Sequence, residues 1–197
     1  MRIVAGSAKG RKLLVPKGQR VRPTADRVKE AVFSILKTLL GDLDGCRVLD
    51  IFAGTGNLGI EALSRGAASA VFIDNHRESA LTIEKNIRLA GFSEKCRIIQ
   101  SDALRALQAI EKERIRFRLV FLDPPYRIGF AEKVLNHLGT STVIEPGAVI
   151  VTEHSLQENL QDRFGNLQKF DARTYGDTAL SFFSPEEREE FPVADET

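Results

Sequence analysis

Four aspartates in this sequence stand at the ends of apolar runs, and their spacing sets a chemical question. Asp50 closes "RVLD", Asp74 closes "SAVFID", Asp102 follows "RIIQS" and Asp123 closes "FRLVFLD". A carboxylate at the end of a buried strand is costly unless something meets it. Three glycines follow the first of them, Gly54, Gly56 and Gly59 in "DIFAGTGNLG". Glycines there allow a tight turn beneath a ligand, and Gly59 permits close approach at the start of the next helix. A turn headed by an acid is ill suited to a pyrophosphate, which Asp50 would repel. It suits a cationic ligand or one carrying an ammonium group. Asp74, ending the second strand, is placed to accept two ribose hydroxyls. Asp102, ending the third, could meet an adenine or its exocyclic amine. Acids at strand ends also cap helices or face solvent, and for Asp102 alone the two roles are evenly matched. The three acids together, with the glycines beside the first, favour a nucleotide-type site.

The fourth acid opens the tetrapeptide Asp123-Pro124-Pro125-Tyr126. Two prolines fix φ and lack N–H donors, so the turn is rigid and leaves carbonyls facing outward. The Asp123 carboxylate and the Pro124 carbonyl are then acceptors suited to an amine. Tyr126 adds a flat ring against which a base could stack. The plain alternative is a stiff turn with Tyr126 as a core ring.

The elements that must position these groups follow from hydrophobic period. Residues 1–22 hold three glycines and short apolar pieces, which predicts a small hairpin or extended arm. From Thr24, a plausible cap after Pro23, the apolar positions Val28, Val32, Ile35, Leu36, Leu39 and Leu40 repeat at helical spacing, predicting a helix over 24–40. Strand and helix then alternate. The strands are "CRVLDIF", "SAVFID", "CRIIQSD", "FRLVFLD" and "GAVIVTEH", with helices around Ile60–Ser64, over 77–90 ended by Gly91, through Leu104, Leu107 and Ile110, and through Phe130, Val134 and Leu138. Strands apolar on both faces at this spacing indicate an α/β fold, a mainly parallel sheet covered by helices. "NLQKFDARTYGDTALSFFS" predicts an antiparallel hairpin turning at Gly176 and Asp177. The organisation expected is a basic arm over 1–22, one domain over 23–184 and an acidic tail over 185–197.

The net charge of +1 over 197 residues conceals an asymmetry. Residues 1–29 carry nine Lys or Arg against Asp26 alone, net +8, and the remainder is −7. Such a segment attracts a polyanion even when the whole is nearly neutral. A solubilising tail is the bland alternative. The sequence shows no apolar run of transmembrane or signal-peptide length, so a cytoplasmic protein is expected. Cys46 and Cys96 have no metal spacing and are expected as two buried thiols. His76, His137 and His154 are scattered, and no metal is expected; His154 is expected at a surface or strand end. Glu153 fits a crevice wall and a solvated strand end equally.

"DPPY" together with "VLDIFAGTGNLGIEALSRGA" resembles the class I methyltransferases that use S-adenosyl-L-methionine to modify exocyclic amines of nucleic-acid bases. "RIVAGSAKGRKLLVP" and "VRPTADRVKEAVFSIL" resemble the N-terminus of one bacterial family, RsmD, which makes N2-methylguanosine in 16S rRNA. The likeness runs from Arg2 to about Phe183. It implies a Rossmann-like fold with a seven-stranded sheet, helices on both faces and a C-terminal antiparallel hairpin. It implies Asp50, Ala53, Gly54, Thr55 and Gly56 around the methionine part of S-adenosyl-L-methionine, Asp74 at the ribose, and Asp102 and Ala103 at the adenine. Asp74 stands where the family usually has Glu, and Thr55 where Ser is common. Asp123, Pro124 and Tyr126 match the target-base site. Lys9, Arg11, Lys12, Arg22, Thr24, Arg27 and Lys29 lie in the segment that the likeness turns toward RNA. The implied partner is 16S rRNA within the 30S subunit or an assembly intermediate, the implied target guanine 966, and the implied state a monomer. A DNA or protein amino-methyltransferase, and an RNA-binding assembly factor without activity, are the alternatives. The short chain, with no evident target-recognition domain, disfavours a sequence-specific DNA enzyme.

Overall fold

The computed structural model describes residues 1–16, 24–125 and 129–186. Helix α1 (Thr24–Leu40) leads into an alternation of β1 (Arg47–Ile51), α2 (Asn57–Ser64), β2 (Ser69–Asp74), α3 (Arg77–Ala90), β3 (Cys96–Gln100), α4 (Ala103–Lys112), β4 (Phe117–Leu122), α5 (Phe130–Leu138) and β5 (Ile144–Ser155). Three further strands close the sheet: β6 (Arg163–Phe164), β7 (Leu167–Tyr175) and β8 (Thr178–Pro185). The order across the sheet is β3-β2-β1-β4-β5-β8-β7-β6. The first five are parallel and the last three antiparallel. The described residues thus form eight strands where seven were expected. The extra one is the two-residue β6, which no period-2 pattern announces.

The parallel strands are apolar on both faces because both faces are covered. Val48, Phe72, Leu119 and Phe121 turn to a core shared with α1, α2 and α3. Leu49, Ile51, Val120 and Leu122 turn to a second core under α4 and α5. Alternate residues of one strand therefore feed opposite layers, as the pleat requires.

The chain runs from β1 outward to β2 and β3, then returns to β4 on the other side of β1. Two crossovers lead away from each other at that point, which opens a crevice beyond the carboxyl ends of β1 and β4.

Residues 1–16 make a small hairpin; residues 17–22 of the expected arm lie outside the described residues. Arg2 bridges Lys12, Ile3 N–H donates to the Arg11 carbonyl, and Leu13 N–H donates to the Met1 carbonyl. The hairpin is docked on the domain, with Ile3, Ala8 and Leu13 buried in the core beside α1 to α3. Gly6 shows how close the docking is: at φ +82, a Cβ there would lie 1.7 Å from the Ser64 carbonyl oxygen. At the other end, β7 and β8 turn through Gly176 at φ +60, as the sequence predicts.

Candidate active site at the carboxyl ends of the sheet

A cavity of about 600 Å³ opens beyond β1 and β4. Its wall is made by the turn after β1, by Asp123 after β4, by Glu153 of β5, by the tip of the β7–β8 hairpin and by the first turns of α1.

Asp50 points into this wall and is 2% exposed. Its Oδ2 accepts a hydrogen bond from Gly59 N–H at 2.9 Å, so one carboxylate oxygen anchors the start of α2. Burial pushes its pKa up to about 7; the Gly59 N–H opposes that rise and the nearby Asp74 charge adds to it. The approach of α2 that permits this bond depends on Gly59. A Cβ there would lie 2.4 Å from Phe72 Cε1 and 3.2 Å from the Asp50 carboxylate.

Ala53, Gly54 and Thr55 line the cavity, whereas Gly56 lies behind it and begins α2 in the left-handed conformation. Asp74 is buried and holds the turn from the side: Oδ2 accepts from Gly54 N–H and Oδ1 from His76 N–H, both at 2.9 Å. A carboxylate has about four lone-pair sites, so these two bonds leave acceptor capacity for hydroxyls. Phe52 is held at φ +62, a conformation rare for a bulky side chain, and its ring meets Phe130 edge-on at 6.2 Å. Strain of this kind collects at ligand sites, where the surrounding structure enforces it.

Asp102 serves as a helix cap, a role that leaves its second carboxylate oxygen unused by the cap. It caps α4, Oδ1 accepting from Leu104 N–H at 3.0 Å and from Arg105 N–H at 3.3 Å. Ala103 is the buried first residue of that helix. Neither borders the cavity; both sit over the ends of β2 and β3, beyond its wall.

Asp123 faces the cavity, with its N–H on the Ile51 carbonyl at 3.3 Å. Burial pushes its carboxyl pKa well above the ordinary range, and the charges of Glu153 and Asp50 push the same way. Pro124 is buried and Pro125 exposed, consistent with a turn pinned to the domain by its first proline. Tyr126 and Arg22 lie outside the described residues. Thr24 is the first residue of α1.

The basic segment divides in two. Lys9, Arg11, Lys12 and Arg27 are exposed, and Arg11 also donates to the Leu89 carbonyl at 3.1 Å. Lys29, expected to face RNA, turns inward instead. It is 2% exposed, donates to the Arg2 carbonyl at 2.6 Å and Asn57 Oδ1 at 2.8 Å, and pairs with Glu61 at 3.2 Å. The reason is its position one turn into α1, on the stripe that faces α2.

His154, expected at a surface or strand end, is at the strand end but buried. Its ring bridges Ser181 Oγ at 2.9 Å and the Ser155 carbonyl at 3.0 Å, inside the β5–β8 pair. Cys46 and Cys96 are free and half-buried, and burial raises both thiols, Cys96 to about 12. Glu153 is at the crevice wall, one of the two placements its sequence allowed. Met1, Asn57 and Asp177 also border the cavity, and nothing in their local sequence announces it.

The geometry is that of an acid-lined crevice with the glycine turn after β1 on one side and the acid–proline–proline turn after β4 on the other. Residues 1–184 match the family described as conserved hypothetical protein 95. The chain is 33% identical to "Ribosomal RNA small subunit methyltransferase D" of Escherichia coli K12 over 186 residues, covering 94% of this chain and 90% of that one. It is 37% identical to the protein of the same name in Haemophilus influenzae over 154 residues, 78% of each. A solved structure of a hypothetical protein from Thermus thermophilus superposes with a TM-score of 0.78 at 29% identity, covering 92% of this chain and 98% of the other.

Proposed function

The chain belongs to the family described as conserved hypothetical protein 95, and we propose that it methylates the exocyclic N2 amine of one guanosine in 16S rRNA, guanine 966, using S-adenosyl-L-methionine. The observation that carries this reading is the meeting of Asp50 and Asp123 in one cavity. One acid serves a cationic cofactor and the other a substrate amine. The relatives named as small-subunit rRNA methyltransferases support the choice of RNA.

The residues present fit the cofactor. A Cβ on Gly54 would have only the Phe52 carbonyl oxygen within 4 Å, at 3.9 Å, so the turn leaves open space where a ligand would lie. Asp50 would hold an ammonium group, and Asp74 would take the ribose hydroxyls. Asp102 would meet the adenine edge with the oxygen that does not cap α4. When bound, the cofactor supplies a methyl group made electrophilic by a sulfonium.

The chain's own contribution is orientation and proton handling. An aromatic amine is a poor nucleophile because its lone pair is delocalised into the ring. Asp123 and the Pro124 carbonyl accept its two hydrogens and so turn the lone pair outward. The amine becomes acidic only as the new bond forms, and a carboxylate with a raised pKa is then a competent proton acceptor. Ionised Asp123 is the active form, so turnover rises with pH through a range above that of an ordinary carboxylate. Tyr126 would hold the guanine after it leaves its stack. The exposed cations of the arm contact phosphates, which position the RNA without reading its sequence. The partner is the small-subunit particle or an assembly intermediate, met by a monomer in the cytoplasm. Among the described residues no helix is long and apolar enough to cross a membrane.

The test is transfer of labelled methyl to small-subunit particles that lack their native guanine methylation, with naked 16S rRNA and DNA in parallel. Mass spectrometry should find one N2-methylguanosine in the particle rRNA. Asp123→Ala should keep cofactor affinity and lower the rate by about 10²-fold or more. Label on DNA, or on a ring nitrogen, would refute the substrate; equal loss of binding and turnover in Asp123→Ala would refute its role.

A further inference from the structure

Asn86 is wholly buried in the middle of α3, a poor place for its side chain. Asn is a weak helix former, and an amide out of water is costly unless it is bonded. Here it is bonded three times. Oδ1 accepts from Leu14 N–H at 2.7 Å, and Nδ2 donates to the Leu14 carbonyl at 3.1 Å and to the Thr55 carbonyl at 2.9 Å. The amide therefore grips the arm as a neighbouring strand would, while its second N–H reaches the turn that lines the cavity.

Two more links join the same parts. Thr55 Oγ1 meets Met1 Sδ at 3.4 Å, and Lys29 Nζ spans the Arg2 carbonyl and Asn57 Oδ1. Arm and turn are thus joined at three points, and of the residues involved Asn86 is the one that does not line the cavity but bonds both arm and turn. The outward face of the arm carries Lys9, Arg11 and Lys12.

Building on the function proposed above, we infer that RNA binding and cofactor binding are positively coupled, and that Asn86 is the positioning residue that couples them. A polyanion that fixes the arm also fixes the Thr55 carbonyl, through one amide. The second ligand then meets a turn already ordered and loses less freedom on binding. Linkage makes the effect reciprocal, so the cofactor tightens RNA by the same factor.

The test uses labelled S-adenosylhomocysteine, which cannot react, in equilibrium dialysis with and without undermethylated small-subunit particles. For the unaltered protein the particles should tighten its binding at least about fivefold, the lower end of common coupling factors. In Asn86→Ala the factor should fall at least about twofold, the Met1–Thr55 and Lys29 links remaining, while each ligand alone binds within about threefold of normal. A merely structural role would weaken both separate affinities and leave the factor intact; that result overturns the inference. Leu14→Pro guards against a variant that does not fold. It deletes a single N–H on a half-exposed arm residue, and it should shrink the factor without changing the melting temperature by more than a few degrees. An undiminished factor in Leu14→Pro also counts against the link. Should the unaltered protein bind both ligands independently, the coupling is wrong and the functional reading survives. Should it bind no S-adenosylhomocysteine, both fall together.

Discussion

Replacing Asp50 by Asn should make the folded protein more stable and the enzyme worse, and both effects should depend on pH. Asp50 is buried with its pKa raised from 3.8 to about 7. The sign follows from linkage. Between about pH 4 and 7 the folded chain keeps a proton here that the unfolded chain has released, so the group's contribution is intact at low pH and is lost as pH climbs through about 7. Three units at about 1.4 kcal/mol each set an upper bound near 4 kcal/mol. Asn keeps the acceptor for Gly59 N–H and cannot ionise. Urea melts should therefore show Asp50→Asn more stable by about 2 kcal/mol or more at pH 8, with the gap closing toward pH 4. An ammonium ligand reverses the slope because it selects the ionised carboxyl. Cofactor affinity should rise about tenfold per pH unit below 7 and then level off, and the Asn variant should lose that slope together with most of its affinity. Asp74, Asp123, Glu153, Asp177 and Lys29 also face Asp50 or the cavity. The difference between the two proteins isolates Asp50 from them. A cofactor affinity that is flat from pH 5.5 to 8, or an Asn variant less stable than the parent at pH 8, would refute the reasoning.

Lys29→Met should destabilise the fold by about 3 kcal/mol, since removing one partner of a buried pair strands the other. The retained bonds from Glu61 to Arg65 and to the Val4 and Ala5 amides keep the loss at the lower end of that range. A normal melting temperature with weakened RNA binding would mean that Lys29 faces RNA after all. Lys9→Ala combined with Lys12→Ala should leave S-adenosylhomocysteine affinity unchanged and reduce the salt slope of RNA binding by about 1.5. An unchanged slope, read by filter binding over a salt series, would show that the arm does not touch phosphate.

The parallel layers were legible because they rest on pattern. Runs such as "AVFI" and "FRLVFL" are apolar at nearly every position, as strands covered on both faces require. The glycine turn and the acid–proline–proline turn were legible for a related reason, since each residue type there is the one its backbone or chemistry demands. Lys29 was misplaced because composition carries sign and not direction. Its charge belongs to the basic segment, but its helical phase belongs to the core. Asn86 escaped notice because its partners are backbone groups 31 and 72 residues away, and Glu61 because, besides Arg65 and Lys29, it accepts from backbone N–H groups 56 and 57 residues away; no local signal marks such distant partners. Asp102 shows the intermediate case. A strand-end acid before a helix is also what a cap looks like, and the sequence does not show that Asp102 serves as one through Oδ1.

The acids at the mouth of the sheet have a consequence for what can enter it. Asp50, Asp123, Glu153 and Asp177 line one small cavity, while the exposed cations sit on the arm outside. On the function proposed above, a phosphodiester would be drawn to the arm and, once the acids are ionised, turned away from the crevice, whereas a neutral base edge would not. The arrangement would then sort a nucleotide into its two halves before any chemistry begins, keeping the anionic chain outside and admitting the heterocycle alone. Free guanine nucleotides, whose phosphates travel with the base on a short tether, should for that reason be poor substitutes for a base swung out of a long strand.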